Sequence, residues 1–335
     1  MTATEQVSAF QGTKQQAAPA SNHQSSPPHR GYRHEALLYR GATGFVDAVA
    51  PFVRDGLNRG QPVMVAAREV RIRALRGVLG DDADRVIFID MAVLGANPAR
   101  IIPAWREFIS THSPHGEPIR GVGEPLWAER RAVETNEGQF HEALLNLAVT
   151  PDTPLWLLCP YDADTLDAEV IAEAHRSHPA IVDEGRYRGS TSYAGAYHVG
   201  DLFSRELPGP TGPVRNLVVS GNDGHQVADW VRRWAEGSGL TAPRSVRLAT
   251  AIRGIAQANA GHSGRSEVLQ MWQEGSALIC QLHDSAQVHD PLIGRRPDGQ
   301  ENSRGLALRA ANQTCDLVQV RSGPRGTTVR VHSWL

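Results

Sequence analysis

Short apolar runs alternate with amphipathic segments from residue 34 onwards, and this alternation predicts an α/β fold. Continuous apolar runs at residues 36–39, 62–67 and 86–89 are typical of buried strands. Apolar side chains at helical spacing lie between these runs, as in residues 98–109. Strands that are apolar throughout are buried on both faces, so we expect a mostly parallel sheet covered by helices on both sides.

The pattern changes near residue 181 and again near residue 214. Residues 181–213 are rich in Gly, Ser, Tyr and Pro, which predicts a linker. Beyond it, Val227, Val231 and Trp234 share a helical face, whereas Leu278, Cys280 and Leu282 alternate as in a strand with one buried face. The C-terminal part is therefore predicted to be an α+β sandwich. The expected division is a disordered tail, an α/β domain, a linker and an α+β domain, at residues 1–30, 31–180, 181–213 and 214–335.

The composition of the chain excludes some classes of function. The 335 residues are 41% hydrophobic and carry a formal net charge of -2, which is ordinary for a globular protein and does not favour a nucleic-acid partner. No apolar run is long enough for a membrane span, and the N-terminus has no secretory pattern, so we expect a cytoplasmic protein without a membrane partner. The three cysteines are widely spaced and show neither disulfide nor zinc spacing, so no metal site is expected.

Residues 303–331 carry the most specific order of motifs. Gly305 begins an apolar helix, a strand follows at residues 316–321, and a Gly-Pro-Arg-Gly turn leads to a strand that opens with Gly326 and Thr327. This order resembles the GHKL ATP-binding fold, a Bergerat-type sandwich, in the form used by anti-sigma-factor serine kinases. The resemblance covers residues 214–332. It implies a vestigial nucleotide site made of Asn259, Asp284, Arg304, Gly305, Gly326 and Thr327.

The chain departs from that family at the catalytic positions. Gly254 stands where the family has its general base, and Ala258 stands where it has its Mg²⁺-binding Asn. Asp284 is present, but the glycines that follow it in the family are not. The resemblance therefore implies a degenerate kinase with no catalytic residue, which binds a protein partner. The plainer interpretations are that Asn259 satisfies a helix end, Asp284 forms a turn and Gly326 belongs to a hairpin. An active serine kinase that uses ATP and Mg²⁺ through Asn259 and Asp284 stays an alternative.

The N-terminal part resembles a second family. The matching motifs are His34-Glu35-Ala36-Leu37-Leu38-Tyr39, Gly95-Ala96-Asn97-Pro98, Gly123-Glu124-Pro125, His141-Glu142-Ala143-Leu144-Leu145-Asn146, Cys159-Pro160-Tyr161-Asp162 and His178-Pro179. They are similar to those of the MEDS sensory domain, for which the resemblance implies a RecA-like α/β fold. No phosphate-binding loop of the Gly-x-x-x-x-Gly-Lys-[Ser/Thr] type occurs in the chain.

Several of these motif residues follow predicted strands, where open α/β sheets bind ligands. We therefore expect one sensory pocket, formed by His34, Tyr39, Glu124, Glu142, Cys159, Tyr161, Asp162 and His178. The plainer interpretation makes Cys159 a core thiol, Asp162 a helix cap and His34 a surface residue. A third hypothesis makes Cys159 the nucleophile of a small-molecule enzyme.

Together, the two resemblances imply a signalling regulator of sigma-factor activity. A small-molecule ligand of unknown identity would act on the first domain. The second domain would hold a sigma factor or a STAS-type antagonist, without direct contact to nucleic acid.

Overall fold

The computed structural model describes residues 31–219, 224–263, 267–296 and 300–335. The predicted tail at residues 1–30 lies outside this part of the chain. No helix of the described residues is long and apolar enough to cross a lipid bilayer.

The first part of the chain forms a seven-stranded sheet with helices on both faces. Its strands are β1 (Arg33–Tyr39), β2 (Val63–Ala67), β3 (Val86–Asp90), β4 (Ile119–Gly123), β5 (Leu155–Asp162), β6 (Ala180–Asp183) and β7 (Arg186–Gly189). Its helices are α1 (Gly41–Asn58), α2 (Glu69–Leu79), α3 (Met91–Leu94), α4 (Ile101–His112), α5 (Ala132–Ala148), α6 (Ala168–Ser177) and α7 (Gly195–Ser204). Short 3-10 turns lie at Gly80–Arg85 and Pro98–Arg100.

The strand order is β3-β2-β4-β5-β1-β6-β7, and only the pairing of β6 with β7 is antiparallel. This confirms the predicted α/β fold with a mostly parallel sheet. Side chains alternate between the two faces of a strand. Leu37 and Tyr39 accordingly pack with α1 and α2, whereas Ala36, Leu38 and Cys159 pack on the face covered by α4 and α5.

The second part forms a five-stranded antiparallel sheet with helices on one face. Its strands are β8 (Arg215–Val219), β9 (Glu267–Glu274), β10 (Ala277–Asp284), β11 (Leu317–Gly323) and β12 (Gly326–Trp334), in the order β11-β12-β10-β9-β8. Helices α8 (Gly224–Gly237), α9 (Ala242–Ser263) and α10 (Ser303–Thr314) pack on the face formed by alternating residues such as Leu278, Cys280 and Leu282. The predicted α+β architecture is confirmed.

Residues 181–213 differ from the predicted linker. They contain most of β6, all of β7 and helix α7. Glu184 and Gly185 both have positive φ angles, of 49° and 71°, as a two-residue hairpin turn of type I′ requires. The glycine and the polar residues that predict a linker therefore form a hairpin that extends the first sheet beyond residue 180.

Helix α5 joins the two parts of the chain. The carboxylate of Glu137 accepts hydrogen bonds from Gln319 (3.1 Å) and Arg321 of β11. Phe140, one turn later, stacks on Phe203 of α7 with ring centroids 6.1 Å apart, and the Arg321 guanidinium lies 4.8 Å from its ring centre. A single hydrophobic cluster includes residues from both sheets. A displacement of α5 would therefore change the packing of the second sheet.

Candidate functional site

Four buried side chains converge beneath α5, and we call them the His-Glu-Cys-His cluster: His34, Glu142, Cys159 and His178. They come from β1, α5, β5 and the residue after α6. One donor atom of each lies within 4.8 Å of the donor atoms of the other three. The parallel pairing of β1 with β5 sets His34 opposite Leu157 and Ala36 opposite Cys159, which places both polar side chains on the same face.

The separations within the cluster are short. Nε2 of His34 lies 3.3 Å from Oε2 of Glu142 and 3.4 Å from Sγ of Cys159. Nε2 of His178 lies 2.9 Å from the same carboxylate oxygen but lacks the geometry of a hydrogen bond. The Glu142 carboxylate is therefore the central group, with both imidazoles directed at it.

The other nitrogen of each imidazole is held by an oxygen acceptor. Nδ1 of His34 lies 3.1 Å from Oδ1 of Asn146, and Nδ1 of His178 lies 2.8 Å from the carbonyl oxygen of Ala174. The Asn146 amide nitrogen donates to the carbonyl of Ser177 at 2.8 Å, which leaves Oδ1 as the acceptor for His34. Each Nδ1 therefore carries a proton, and Nε2 of each ring is directed at the cluster.

Burial shapes the charges of the cluster. Burial lowers the pKa of His34, with nearby His178 as the second cause, and burial raises the pKa of the Cys159 thiol well above its usual range. Burial also raises the pKa of Glu142, but the ring nitrogens of His178 and His34 outweigh that effect and hold it well below its usual range. An anionic carboxylate thus faces a neutral thiol and the Nε2 atoms of both imidazole rings.

A second polar cluster lies on the opposite face, at the carboxyl ends of the strands. The Tyr39 hydroxyl donates to Oε1 of Glu124 at 3.2 Å and accepts from Nη2 of Arg71 at 3.0 Å. The same guanidinium nitrogen lies 3.2 Å from Oδ2 of Asp162. The backbone N–H of Arg68 donates to Oε2 of Glu124 at 3.2 Å. Burial raises the pKa of Glu124, and the two arginines act in the opposite direction.

The structure thus divides the predicted sensory pocket into two clusters. Tyr39, Glu124 and Asp162 lie on the α1/α2 face, whereas His34, Glu142, Cys159 and His178 lie on the α5 face. Tyr161 lies on the α5 face beside the His-Glu-Cys-His cluster, because the edge of its ring meets His178 with centroids 5.6 Å apart. The single pocket is wrong because Cys159-Pro160-Tyr161-Asp162 is the end of β5 and not a loop after it, so successive side chains point to opposite faces.

The lack of metal-ligand spacing in the sequence does not exclude a metal site in the folded chain. No two of the four donors are close in sequence, but β1 and β5 are neighbours in the sheet and α5 crosses both.

The predicted pocket also left out Asn146, Arg68 and Arg71. Asn146 follows Glu142 by one helical turn, which is a usable signal that both face the same side. Arg68 and Arg71 follow a predicted strand directly, where ligand-binding loops start.

The residues of the predicted nucleotide site also come together, but they bind one another. Arg304 donates from Nη2 to Oδ2 of Asp284, and both side chains are buried. Oδ1 of Asp284 accepts from the backbone N–H of Ala286 at 2.9 Å. Asp284 pairs in register with Thr327, whose hydroxyl donates to the carbonyl of Ala286 at 2.8 Å. Both oxygens of Asp284 therefore have partners within the protein.

Asn259 lies on α9 and is buried. Its amide nitrogen donates to Oε2 of Glu267 at the start of β9, at 3.2 Å. The pKa of Glu267 is raised to about 7, chiefly by burial; the Asn259 hydrogen bond and Arg304 act in the opposite direction, and nearby Asp284 adds to the rise. The contact ties the C-terminal part of α9 to the sheet.

The N-terminus of α10 is occupied by side chains of the protein itself. Oδ1 of Asn302 accepts the backbone N–H of Gly305 at 2.9 Å. The Glu301 carboxylate lies against Gly305 so closely that a Cβ at this position would collide with it. A carboxylate therefore fills the place where a helix N-terminus would bind a phosphate.

Comparisons with known proteins agree with the N-terminal assignment. Residues 33–179 match the family model described as MEDS, MEthanogen/methylotroph, DcmR Sensory domain, so this segment carries a MEDS domain as the motifs predict. A search of the curated proteins gave no match.

Among the solved structures, the chain is similar to the RsbU and RsbW domains of Rv1364c from Mycobacterium tuberculosis. The sequences are 16% identical over 37% of this chain, with a TM-score of 0.28. The similarity spans 33% of that chain, about a third of its length.

Proposed function

We propose, with the MEDS domain at residues 33–179 as the premise, that this protein is a signalling regulator in which a sensory domain controls a degenerate kinase-like, protein-binding domain. The second domain, a GHKL-like sandwich in this proposal, holds a sigma factor or a STAS-type antagonist. The signal changes which partner is held, and no phosphoryl group is transferred.

The observation that carries the proposal is the buried ion pair between Asp284 and Arg304. A nucleotide that used Asp284 to bind the adenine amino group would have to take the carboxylate from Arg304 and leave a buried guanidinium without its partner. Breaking a buried ion pair costs roughly 3–5 kcal/mol, equivalent to a loss of about two to four orders of magnitude in affinity. The pocket is therefore far better suited to its own side chains than to ATP.

Helix α9 corresponds to the helix that carries the catalytic groups in the resembled kinases, but it lacks those groups at the matching positions. Gly254 and Ala258 offer no side chain that could accept a proton or bind Mg²⁺. Asn259 is engaged with Glu267. The Glu301 carboxylate beside Gly305 would also repel a phosphate. These features support a protein-binding role and weigh against the serine-kinase alternative.

Helix α5 offers the route from the sensory domain to the second sheet. Glu142 lies in the His-Glu-Cys-His cluster, and Glu137 on the same helix contacts Gln319 and Arg321 of β11. A signal that moves α5 relative to β1 and β5 would therefore change the packing of β11. The helix is the element whose position both regions bias, as coupling between two sites requires.

The test is a calorimetric titration of ATP and ADP, each with Mg²⁺, into the full-length chain, followed by incubation with purified sigma factors and STAS proteins. We expect no nucleotide binding at micromolar concentrations, no transfer of phosphate, and a stable complex with one of the partners. Micromolar ATP binding that Asp284→Ala and Asn259→Ala both abolish would instead favour the kinase. Absence of any complex would overturn the protein-binding role.

A further inference from the structure

The His-Glu-Cys-His cluster has the composition of a transition-metal site. Imidazole nitrogen, thiolate sulfur and carboxylate oxygen are the three ligand types that zinc takes in proteins. His34, Glu142, Cys159 and His178 supply two nitrogens, one oxygen and one sulfur, and all four side chains are buried. The cluster is assembled from four separate elements, so it is not a chance run of acidic residues on a surface.

Two of the separations match those that a tetrahedral ion imposes on its ligands. With metal–nitrogen and metal–oxygen bonds of about 2.0–2.1 Å and a metal–sulfur bond of about 2.3 Å, neighbouring donors stand roughly 3.3–3.6 Å apart. Nε2 of His34 is 3.3 Å from Glu142 and 3.4 Å from Cys159. Nε2 of His178 is 2.9 Å from Glu142, and all four donor atoms lie within 4.8 Å of one another, so an ion would have to draw the more distant donors together.

The outer contacts of both histidines are those of metal ligands. A ligating imidazole usually donates its second N–H to a carbonyl or carboxylate oxygen, which fixes the tautomer and aims the other nitrogen at the metal. Nδ1 of His34 has the Asn146 side-chain oxygen, and Nδ1 of His178 has the Ala174 carbonyl. Asn146 is itself held by the Ser177 carbonyl. The ring orientations are therefore set before any ion arrives.

Without an ion, the centre of the cluster is unfavourable. Nε2 of His178 is buried and has no hydrogen-bond partner among the described residues, although a carboxylate oxygen lies 2.9 Å away. Buried polar atoms rarely remain unsatisfied, because each costs about 1–3 kcal/mol. This is an independent indication that the cluster binds something positively charged.

We propose that His34, Glu142, Cys159 and His178 bind one divalent transition-metal ion, with Zn²⁺ as the best match to this donor set. Binding releases the thiol proton of Cys159 to solvent, so that one thiolate and one carboxylate balance the two charges of the ion. The four protein ligands complete a tetrahedral shell and leave no open position, which is typical of structural and not catalytic zinc.

The ion would tie α5 to β1, β5 and the end of α6. This inference goes beyond the proposed function, because metal binding can be measured without any partner protein. It would stand even if the second domain proved to bind nucleotide.

The test uses the full-length chain, reduced and stripped of metal by a chelator. We expect it to bind one Zn²⁺ per chain in a competition titration with a chromophoric chelator, and to bind Co²⁺ with tetrahedral visible bands and a sulfur-to-cobalt charge-transfer band. Cys159→Ala is expected to lose at least about 100-fold in affinity, since a directly ligating group should matter at least as much as an outer-shell partner. Cys280→Ala is the matched control, because Cys280 is equally buried but lies in the second sheet.

Two further variants keep the test decisive if Cys159→Ala fails to fold. Cys159→Ser preserves the size of the side chain, and it should bind Co²⁺ more weakly and without the charge-transfer band. The Cys280→Ala/Cys315→Ala double variant should keep that band. If the wild-type chain binds neither ion, or if the band survives in Cys159→Ser, the proposal is wrong. Equal losses in Cys159→Ala and Cys280→Ala would also overturn it.

Discussion

Glu137 of α5 and Arg321 of β11 form a buried ion pair that joins the MEDS domain to the second sheet. Glu137 is 2% exposed and Arg321 is 8% exposed. Gln319, two residues before Arg321, adds a second hydrogen bond to the same carboxylate oxygen at 3.1 Å. Gln319 and Arg321 alternate with Val318 and Val320, so the pair lies on the face of β11 that α8, α9 and α10 do not cover.

Replacement of Glu137 by Gln should destabilise the protein by about 3 kcal/mol. The substitution keeps the shape of the side chain but leaves the buried Arg321 guanidinium without a counter-charge, and an uncompensated buried charge is costly. The measurement is the free energy of unfolding from urea denaturation of the full-length chain.

Glu236→Gln is the matched control for that experiment. Glu236 pairs with Arg232 at 3.0 Å, but both side chains are partly exposed to solvent. Exposed pairs contribute about 0.2–1 kcal/mol, so the control should lose less than about 1 kcal/mol. Equal losses in the two variants would mean that the Glu137 contact does not stabilise the junction.

The ion pair of Asp284 with Arg304 should be strongly coupled. Asp284→Asn and Arg304→Met should each cost about 3 kcal/mol, because each leaves one buried charge alone. The double variant removes both charges, so it should lose at least about 1 kcal/mol less than the sum of the two single losses. A double-mutant cycle of unfolding free energies measures this. The same cycle at Arg232 and Glu236 should be nearly additive, and additivity at Asp284 and Arg304 would contradict the prediction.

The contribution of Glu267 to the stability of the second domain should fall as the pH rises through neutrality. Burial raises the pKa of Glu267 to about 7, from an ordinary value of 4.5. The native state therefore retains this proton more tightly than the unfolded chain. Its stabilising effect is complete below pH 4.5 and is lost as the pH passes about 7.

Glu267→Gln cannot ionise, and its gain in stability over the wild type should grow from less than about 1 kcal/mol at about pH 5 to about 3 kcal/mol at about pH 8. The measurement is urea denaturation at both pH values. Glu107→Gln, on the exposed side of α4, is the control and should show no such difference. A constant gap between Glu267→Gln and the wild type at both pH values would argue against the raised pKa.

Gly326 should tolerate no side chain. Its φ angle is +109°, and a Cβ there would collide with the Asp284 carbonyl oxygen and lie 2.8 Å from the Cα of Ser285. Strain and overpacking add up, so Gly326→Ala should cost about 3 kcal/mol. Gly275→Ala is the control, because its φ is +54° but nothing lies within 4 Å of its Cβ position. It should cost about 1 kcal/mol, and thermal unfolding separates the two effects.

Local sequence patterns identified most of the elements and both fold classes. The apolar runs at residues 36–39 and 62–67 correspond to β1 and β2, because a strand buried on both faces needs apolar side chains at every position. The run at residues 86–89 corresponds to β3, an edge strand that is only partly buried. The hairpin of β6 and β7 was missed, since β7 is exposed throughout and its Glu184-Gly185 turn has the composition of a linker. Exposure removes the alternation by which a strand is recognised.

The sequence by itself determined the MEDS motifs and the α/β part followed by an α+β part. Only the tertiary structure decided which of the motif residues meet. His34 and Cys159 are 125 residues apart, and the order of strands in the sheet makes them neighbours. Local periodicity carries no information about that order, because it records which face of an element is buried but not which element covers it.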